Sequence, residues 1–130
     1  MSVALLTRLY EHAHVGDWDA VETMLSDDLI IHEAESLPFG GEYRGKRALR
    51  DLYASVMGYW DSPSVEIYSI VGDDSHVVAL MNFSMTSKAS GRTIVQKMAE
   101  VSTVKDGLVV DMRIHYYDTA LVAAEAGPKR

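Results

Sequence analysis

Apolar positions along this chain fall first into helical spacing and then into alternation. Over residues 3–14, Leu5, Leu6, Leu9 and Ala13 recur at the spacing of one helix face. Gly16 stands where a glycine commonly ends a helix. Asp17 is placed to cap a short second helix with Ala20, Val21, Met24 and Leu25 inward. Residues 29–34 form an apolar run with the β-branched pair Ile30 and Ile31, which predicts a strand. The segment 37–45, LPFGGEYRG, is turn-rich. A third helix is expected from Lys46 to about Trp60, with Leu49, Leu52, Tyr53, Val56 and Met57 on one side.

After Pro63 the period changes from helical to two. Strands are expected over 64–71, 76–87, 92–104 and 108–117, separated by Gly72-Asp73-Asp74, Ala89-Ser90-Gly91 and Lys105-Asp106-Gly107. The Asp-Gly pair is a strong hairpin signal. Asp118 is placed to cap a last helix over 119–126. Helices first and a strand meander after predict an α+β fold, a cone-shaped curved antiparallel sheet wrapped around the N-terminal helices. Such a cone leaves an apolar cavity between its layers, a natural small-molecule pocket.

Alternation then sorts the strand residues by face. Leu108, Val110, Met112, Ile114 and Tyr116 form the apolar face of the last strand, and Val77, Ala79, Met81, Phe83 and Met85 that of 76–87. Ile94, Gln96, Met98, Glu100, Ser102 and Val104 share a face, as do Leu29, Ile31 and Glu33. Two carboxylates, Glu33 and Glu100, therefore lie in phase with apolar residues. Burial raises the pKa of a carboxyl, and a value near neutrality suits a general acid or base. A strand-end position that reaches solvent is the competing reading for both.

Composition narrows the classes. A chain of 130 residues is read as one domain spanning 1–130. Its net charge of −7 and scattered Lys and Arg argue against nucleic acid as a partner. No apolar run reaches the roughly 20 residues of a membrane span, and the first residues do not read as a secretory signal. There is no cysteine, which removes thiol catalysis, disulfides and zinc–thiolate sites and fits a cytoplasmic setting. No metal site or cofactor is expected. His12 and His14 read as cations at a helix end, and His32 and Glu33 as pointing to opposite faces unless a bulge turns His32 in as a spare donor.

Several segments carry a resemblance. These are Val15-Gly16-Asp17-Trp18-Asp19-Ala20, the run Leu25 to Glu33, the loop LPFGGEYRG, the helix with Leu52-Tyr53, and DGLVVDMRIHYYD at 106–118. Together they resemble the ketosteroid-isomerase-like group of the nuclear transport factor 2 superfamily, in its SnoaL-like (polyketide cyclase) branch, over about Leu5 to Ala124. The resemblance implies the α+β cone, a homodimer and a small hydrophobic ligand. It also implies Glu33 as the base, Glu100 as a protonated acid of the oxyanion hole, and Tyr53 as a supporting tyrosine. The register of the preceding hairpin decides between Glu100 and Ala99 for the second role. Where the family has an aromatic, Tyr116 offers a further donor. The helix-one tyrosine of steroid isomerases falls on Leu9, with Tyr10 about 100° further round the helix. The ligand-contacting wall is expected from Leu9, Met57, Met81, Phe83, Met98, Met112 and Ile114.

Three classes of function stay open on the sequence. One is an enzyme moving a proton beside a carbonyl of an apolar substrate, of isomerase, cyclase or dehydratase type. The others are a non-catalytic module binding a small hydrophobic ligand, and a structural domain with a filled core. Epoxide hydrolysis, also found on this fold, needs an arginine in the site, and Arg113 is expected on the polar strand face.

Overall fold

A computed structural model describes residues 1–130. Helix α1 (Ser2–His14) buries Leu6, Leu9, Tyr10 and Ala13, a stripe at helical spacing. Gly16 then turns the chain with φ of +74°, a conformation that favours glycine. The Asp17 carboxylate caps α2 (Trp18–Glu22) by accepting from the Ala20 N–H at 3.3 Å. Helix α2 stops short of the expected range, and Leu25 belongs to strand β1 (Leu25–Glu33). The strand begins four residues early because exposed Asp27 and Asp28 interrupt its apolar pattern without interrupting its backbone.

The loop 37–45 also hides a strand. Strand β2 (Gly41–Arg44) pairs antiparallel with β1, setting His32 opposite Glu42 and Ile31 opposite Tyr43. Gly40 precedes it, where a Cβ would lie 2.0 Å from the Ala34 carbonyl oxygen, so no larger residue fits without moving the loop. Helix α3 (Ala48–Met57) ends three residues before Trp60, and Tyr59 and Trp60 are buried as the next strand begins.

Strands β3 (Trp60–Gly72), β4 (His76–Ser87), β5 (Thr93–Lys105) and β6 (Leu108–Tyr116) form the expected meander. Asp106 and Gly107, both at positive φ, make the tight β5–β6 turn that their sequence signals. Helix α4 (Thr119–Ala126) is capped by Asp118, which accepts from the Leu121 N–H at 3.1 Å. The six strands form one curved, unclosed sheet in the order β2-β1-β6-β5-β4-β3. It is antiparallel except where β1 runs parallel to β6, a pairing that brings the first strand beside the last.

Alternation holds along β4 and β5, whose inner positions from Val77 to Met85 and from Gln96 to Val104 are buried. In β6 it holds only from Met112 onward. A bulge at the start of that strand sets Val109 against Val104 and Asp111 against Thr103, leaving Val110 as the extra residue. Val109 is therefore buried in place of Leu108 and Val110.

Candidate functional site

Between the helices and the concave sheet face lies a cavity of about 1060 Å³. It has 24 lining residues, 16 of them hydrophobic, so its wall is mainly apolar. Exposed Val15, Met57, Val65 and Tyr68 stand at its mouth. No Lys or Arg lines it. The cavity leaves no room for the reading of a filled core.

Glu33 ends β1 on the inner face and is 4% exposed. Its Oε1 accepts from the Ala34 N–H at 3.3 Å, and its Oε2 accepts from the Tyr116 hydroxyl at 3.3 Å. Loss of water around the carboxyl dominates these contacts and pushes its pKa up to about 8. Glu100 sits on the inner face of β5 and is 7% exposed. Its pairing with Ile114 shows that Glu100, not Ala99, takes the inward position. Burial raises its pKa as well, against the opposing effect of a hydrogen bond from the Tyr10 hydroxyl at 2.7 Å.

Tyr10, Tyr53 and Tyr116 all line the cavity. Burial, followed by the nearby carboxylates, holds all three phenols above their ordinary pKa. They are proton donors at neutral pH. Tyr53 is set edge-on against Trp18, with ring centroids 5.1 Å apart. That contact ties α2 to α3 and fixes the phenol in the wall.

Of the expected wall residues, Met57, Met81, Phe83, Met98 and Ile114 line the cavity. Leu9 and Met112 do not. Both are fully buried among the core side chains. The correction at Leu9 is one of helix phase: α1 turns Tyr10, its neighbour, toward the cavity. Tyr10 was the functional candidate that spacing alone passed over. Its signal was a polar aromatic beside the apolar stripe of α1, in reach of an inward carboxyl on β5.

His32 faces away from the cavity. Its Nε2 lies 2.7 Å from Asp111 Oδ1, and its Nδ1 is 3.6 Å from Glu42. The strand is regular from Ile30 onward, so no bulge turns the imidazole inward. Arg113 lies on the same outer face, 3.5 Å from Asp111, which leaves the cavity without the arginine that epoxide hydrolysis needs. Arg44 pairs with Glu42 at 2.6 Å, and the Tyr43 hydroxyl donates to the Phe39 carbonyl at 2.7 Å. No cluster of three His, Asp or Glu suited to a metal ion is present. No helix is long and apolar enough to cross a membrane.

Comparison with known proteins agrees with this fold. Residues 6–112 match the family described as SnoaL-like domain. The chain is 31% identical over 107 residues to patulin synthesis protein F of Aspergillus clavatus, covering 78% of this chain and 51% of that protein. It thus spans about half the length of that relative. Among solved structures, an NTF2-like protein of Burkholderia thailandensis superposes with a TM-score of 0.85 at 20% identity, covering 97% of each chain. A protein with a ketosteroid isomerase-like fold from Catenulispora acidiphila, solved with trimethylamine, superposes with a TM-score of 0.68 at 15% identity. It covers 87% of this chain and 84% of its own. At those identities the structures speak to the fold alone.

Proposed function

The chain belongs to the SnoaL-like domain family, and from that premise we propose that it is an enzyme moving a proton next to a carbonyl group in an apolar small molecule. The observation that carries this reading is Glu33: a carboxyl buried in an apolar wall, with no cation beside it and a pKa near 8. A group so tuned exchanges protons readily near neutral pH. The match to a protein named for patulin synthesis supports a small-molecule reaction.

In this reading ionised Glu33 takes the proton from the carbon beside the carbonyl. The electron pair of that C–H bond becomes a C=C π bond as the carbonyl π pair moves onto oxygen, forming an enolate. Protonated Glu100 donates a hydrogen bond to the developing oxyanion, as a preorganised donor in a water-poor site. Tyr116, already turned toward Glu33, holds the base in place, and Tyr53 supports the Glu100 side. Returned by Glu33 to another carbon of the enolate, the proton gives an isomer; where the enolate carbon instead attacks a second carbonyl carbon a ring closes and the proton goes to the new alkoxide, and where the enolate expels a β-hydroxyl the proton leaves with it as water.

Glu33→Gln keeps the size of the side chain and removes the base. It is expected to abolish turnover, a loss of roughly 10²-fold or more, with ligand binding retained. Unchanged turnover in that variant sinks the assignment. The apolar character of the wall favours a second reading, a non-catalytic module that holds a hydrophobic ligand. NMR titration separates the two: a Glu33 pKa near that of a solvated carboxyl favours simple binding. A homodimer is proposed on the same family likeness, and a cytoplasmic setting on the cysteine-free composition. Exposed Val71 and Val95 on the outer sheet face are consistent with a second copy there.

A further inference from the structure

One hydroxyl behind the cavity wall is out of place. From Met98 to Val104 the inner face of β5 reads Met98, Glu100, Ser102, Val104. Across the ladder Ser102 meets Val77 on β4 and Met112 on β6, both apolar and buried. Ser102 is 1% exposed and does not line the cavity. A valine would fill such a position at lower cost, because a buried hydroxyl is favourable only when it is paired. The two other buried serines, Ser2 and Ser87, donate to the carbonyls of Asp74 and Glu125. Ser102 Oγ alone among them has no hydrogen-bond partner of good geometry.

The polar group it faces is the Tyr10 phenol, and it opposes the rise in that phenol's pKa. Tyr10 has a single hydroxyl proton, which it donates to Glu100 Oε1 at 2.7 Å. The lone pairs of its oxygen are therefore free to accept, and a serine hydroxyl rotates to suit. The chain of donors runs from Ser102 on β5 to Tyr10 on α1 and back to Glu100 on β5.

A phenol that accepts a hydrogen bond is polarised and donates its own more strongly. Tyr10 is the one hydrogen-bond donor to Glu100, and no Lys or Arg lines the cavity. The titratable groups that act on or respond to Glu100 besides Tyr10 are Tyr53 of α3, Tyr116 of β6 and Glu33 of β1. Glu11 and His14 of α1 complete the titratable lining and are exposed. Anything that strengthens the Tyr10 hydroxyl thus acts directly on the ease with which Glu100 shares its proton. While Oε1 accepts from Tyr10, that proton sits on Oε2, where it can be offered to a developing oxyanion.

Building on the proton-transfer reading above, we propose that Ser102 is a positioning residue of the site. Its hydroxyl donates to Tyr10, and through that phenol it sets how strongly Glu100 acts as the acid toward the substrate.

The relay can be tested without a substrate, by carbon-13 NMR of the glutamate carboxyls over a pH series. In the Glu33→Gln protein Glu100 is the remaining inward carboxyl, and its signal is the one that a further Glu100→Gln change removes. Ser102→Ala in that background is expected to make Glu100 an about threefold weaker acid. It is expected to change nothing once Tyr10→Phe is also present, because the path runs through the phenol. Thermal denaturation confirms that each variant folds. An unchanged Glu100 midpoint in Ser102→Ala overturns the inference, and a gain in thermal stability alongside it marks the hydroxyl as a plain unpaired group. A shift of the same size with Tyr10→Phe present overturns it as well. On any substrate the native chain turns over, Ser102→Ala should lower kcat and kcat/KM alike, since the donor acts on developing charge; a rise in KM alone counts against the relay. Turnover that survives Glu33→Gln overturns proton transfer instead, and the titrations still decide the relay.

Discussion

Ionising Glu33 places a charge where water is scarce, and the energetic consequence has a definite sign. Its folded pKa, about 8, lies above the ordinary 4.5. Below pH 4.5 the group is protonated in both folded and unfolded chains and costs nothing. As pH rises toward 8 the unfolded chain sheds the proton first, so the folded state loses stability through that window. At about 1.4 kcal/mol per tenfold difference in proton affinity, the cost is of the order of 5 kcal/mol by pH 8. Thermal denaturation of the native protein should therefore shift downward between about pH 5 and pH 9. Glu33→Gln should make that profile shallower, leaving the part due to Glu100, and raise the midpoint at the alkaline end. If Glu33 is the base, turnover should climb over the same range and level off above about pH 8. Activity and stability then run in opposite directions with pH, and Glu33→Gln removes the activity together with the Glu33 share of the stability profile.

At the scale of elements, the phase of α1 decides which side chain meets the sheet. Leu9 and Tyr10 are neighbours, and apolar spacing alone admits either on the inner face. The packing of α1 resolves it, with Leu9 in the core and the Tyr10 hydroxyl on Glu100. Leu9→Ala should cost about 2–5 kcal/mol in chemical denaturation. Tyr10→Phe should cost about 1 kcal/mol while altering the site. Strands were more legible than helices because a period of two leaves only two faces to choose between. Glu33 and Glu100 could be placed inward on that ground, before any contact was known. Strand β2 was hidden because Gly40 and Gly41 read as a turn, and the start of β1 because Asp27 and Asp28 are polar positions on exposed backbone. The final helix is held in a different way. The Glu125 carboxylate accepts from Ser90 Oγ at 2.6 Å and from Arg92 Nε at 2.9 Å, and Ser87 Oγ donates to its carbonyl. Arg92 and Ser90 hold this carboxyl below the usual range. Glu125→Ala should free α4 from the β4–β5 hairpin, seen as faster amide exchange over 119–126 with β4 and β5 little changed.

For the whole molecule, the cavity is the feature that composition could not reveal. The same apolar residues could have filled a core, but the curved sheet leaves a space bounded by residues of α1, α3, β3, β4, β5 and β6. An apolar ligand that fills the space should raise the denaturation midpoint. At a hundred times its dissociation constant the gain is about 2.7 kcal/mol, which a thermal-shift panel detects as several degrees. The parallel pairing of β1 with β6 has a further consequence, in time rather than in space. Glu100 and Tyr116 lie on one hairpin closed by the Asp106–Gly107 turn, so that half of the site can form locally and early. Glu33 reaches Tyr116 across 83 residues of chain. Closing a loop of that length is entropically slow and is repaid only when β1 docks. Tyr10 reaches Glu100 across 90 residues and joins as late, so a chain with its meander complete but β1 and α1 undocked would hold Glu100 and Tyr116 with neither the base nor the helix phenol opposite them.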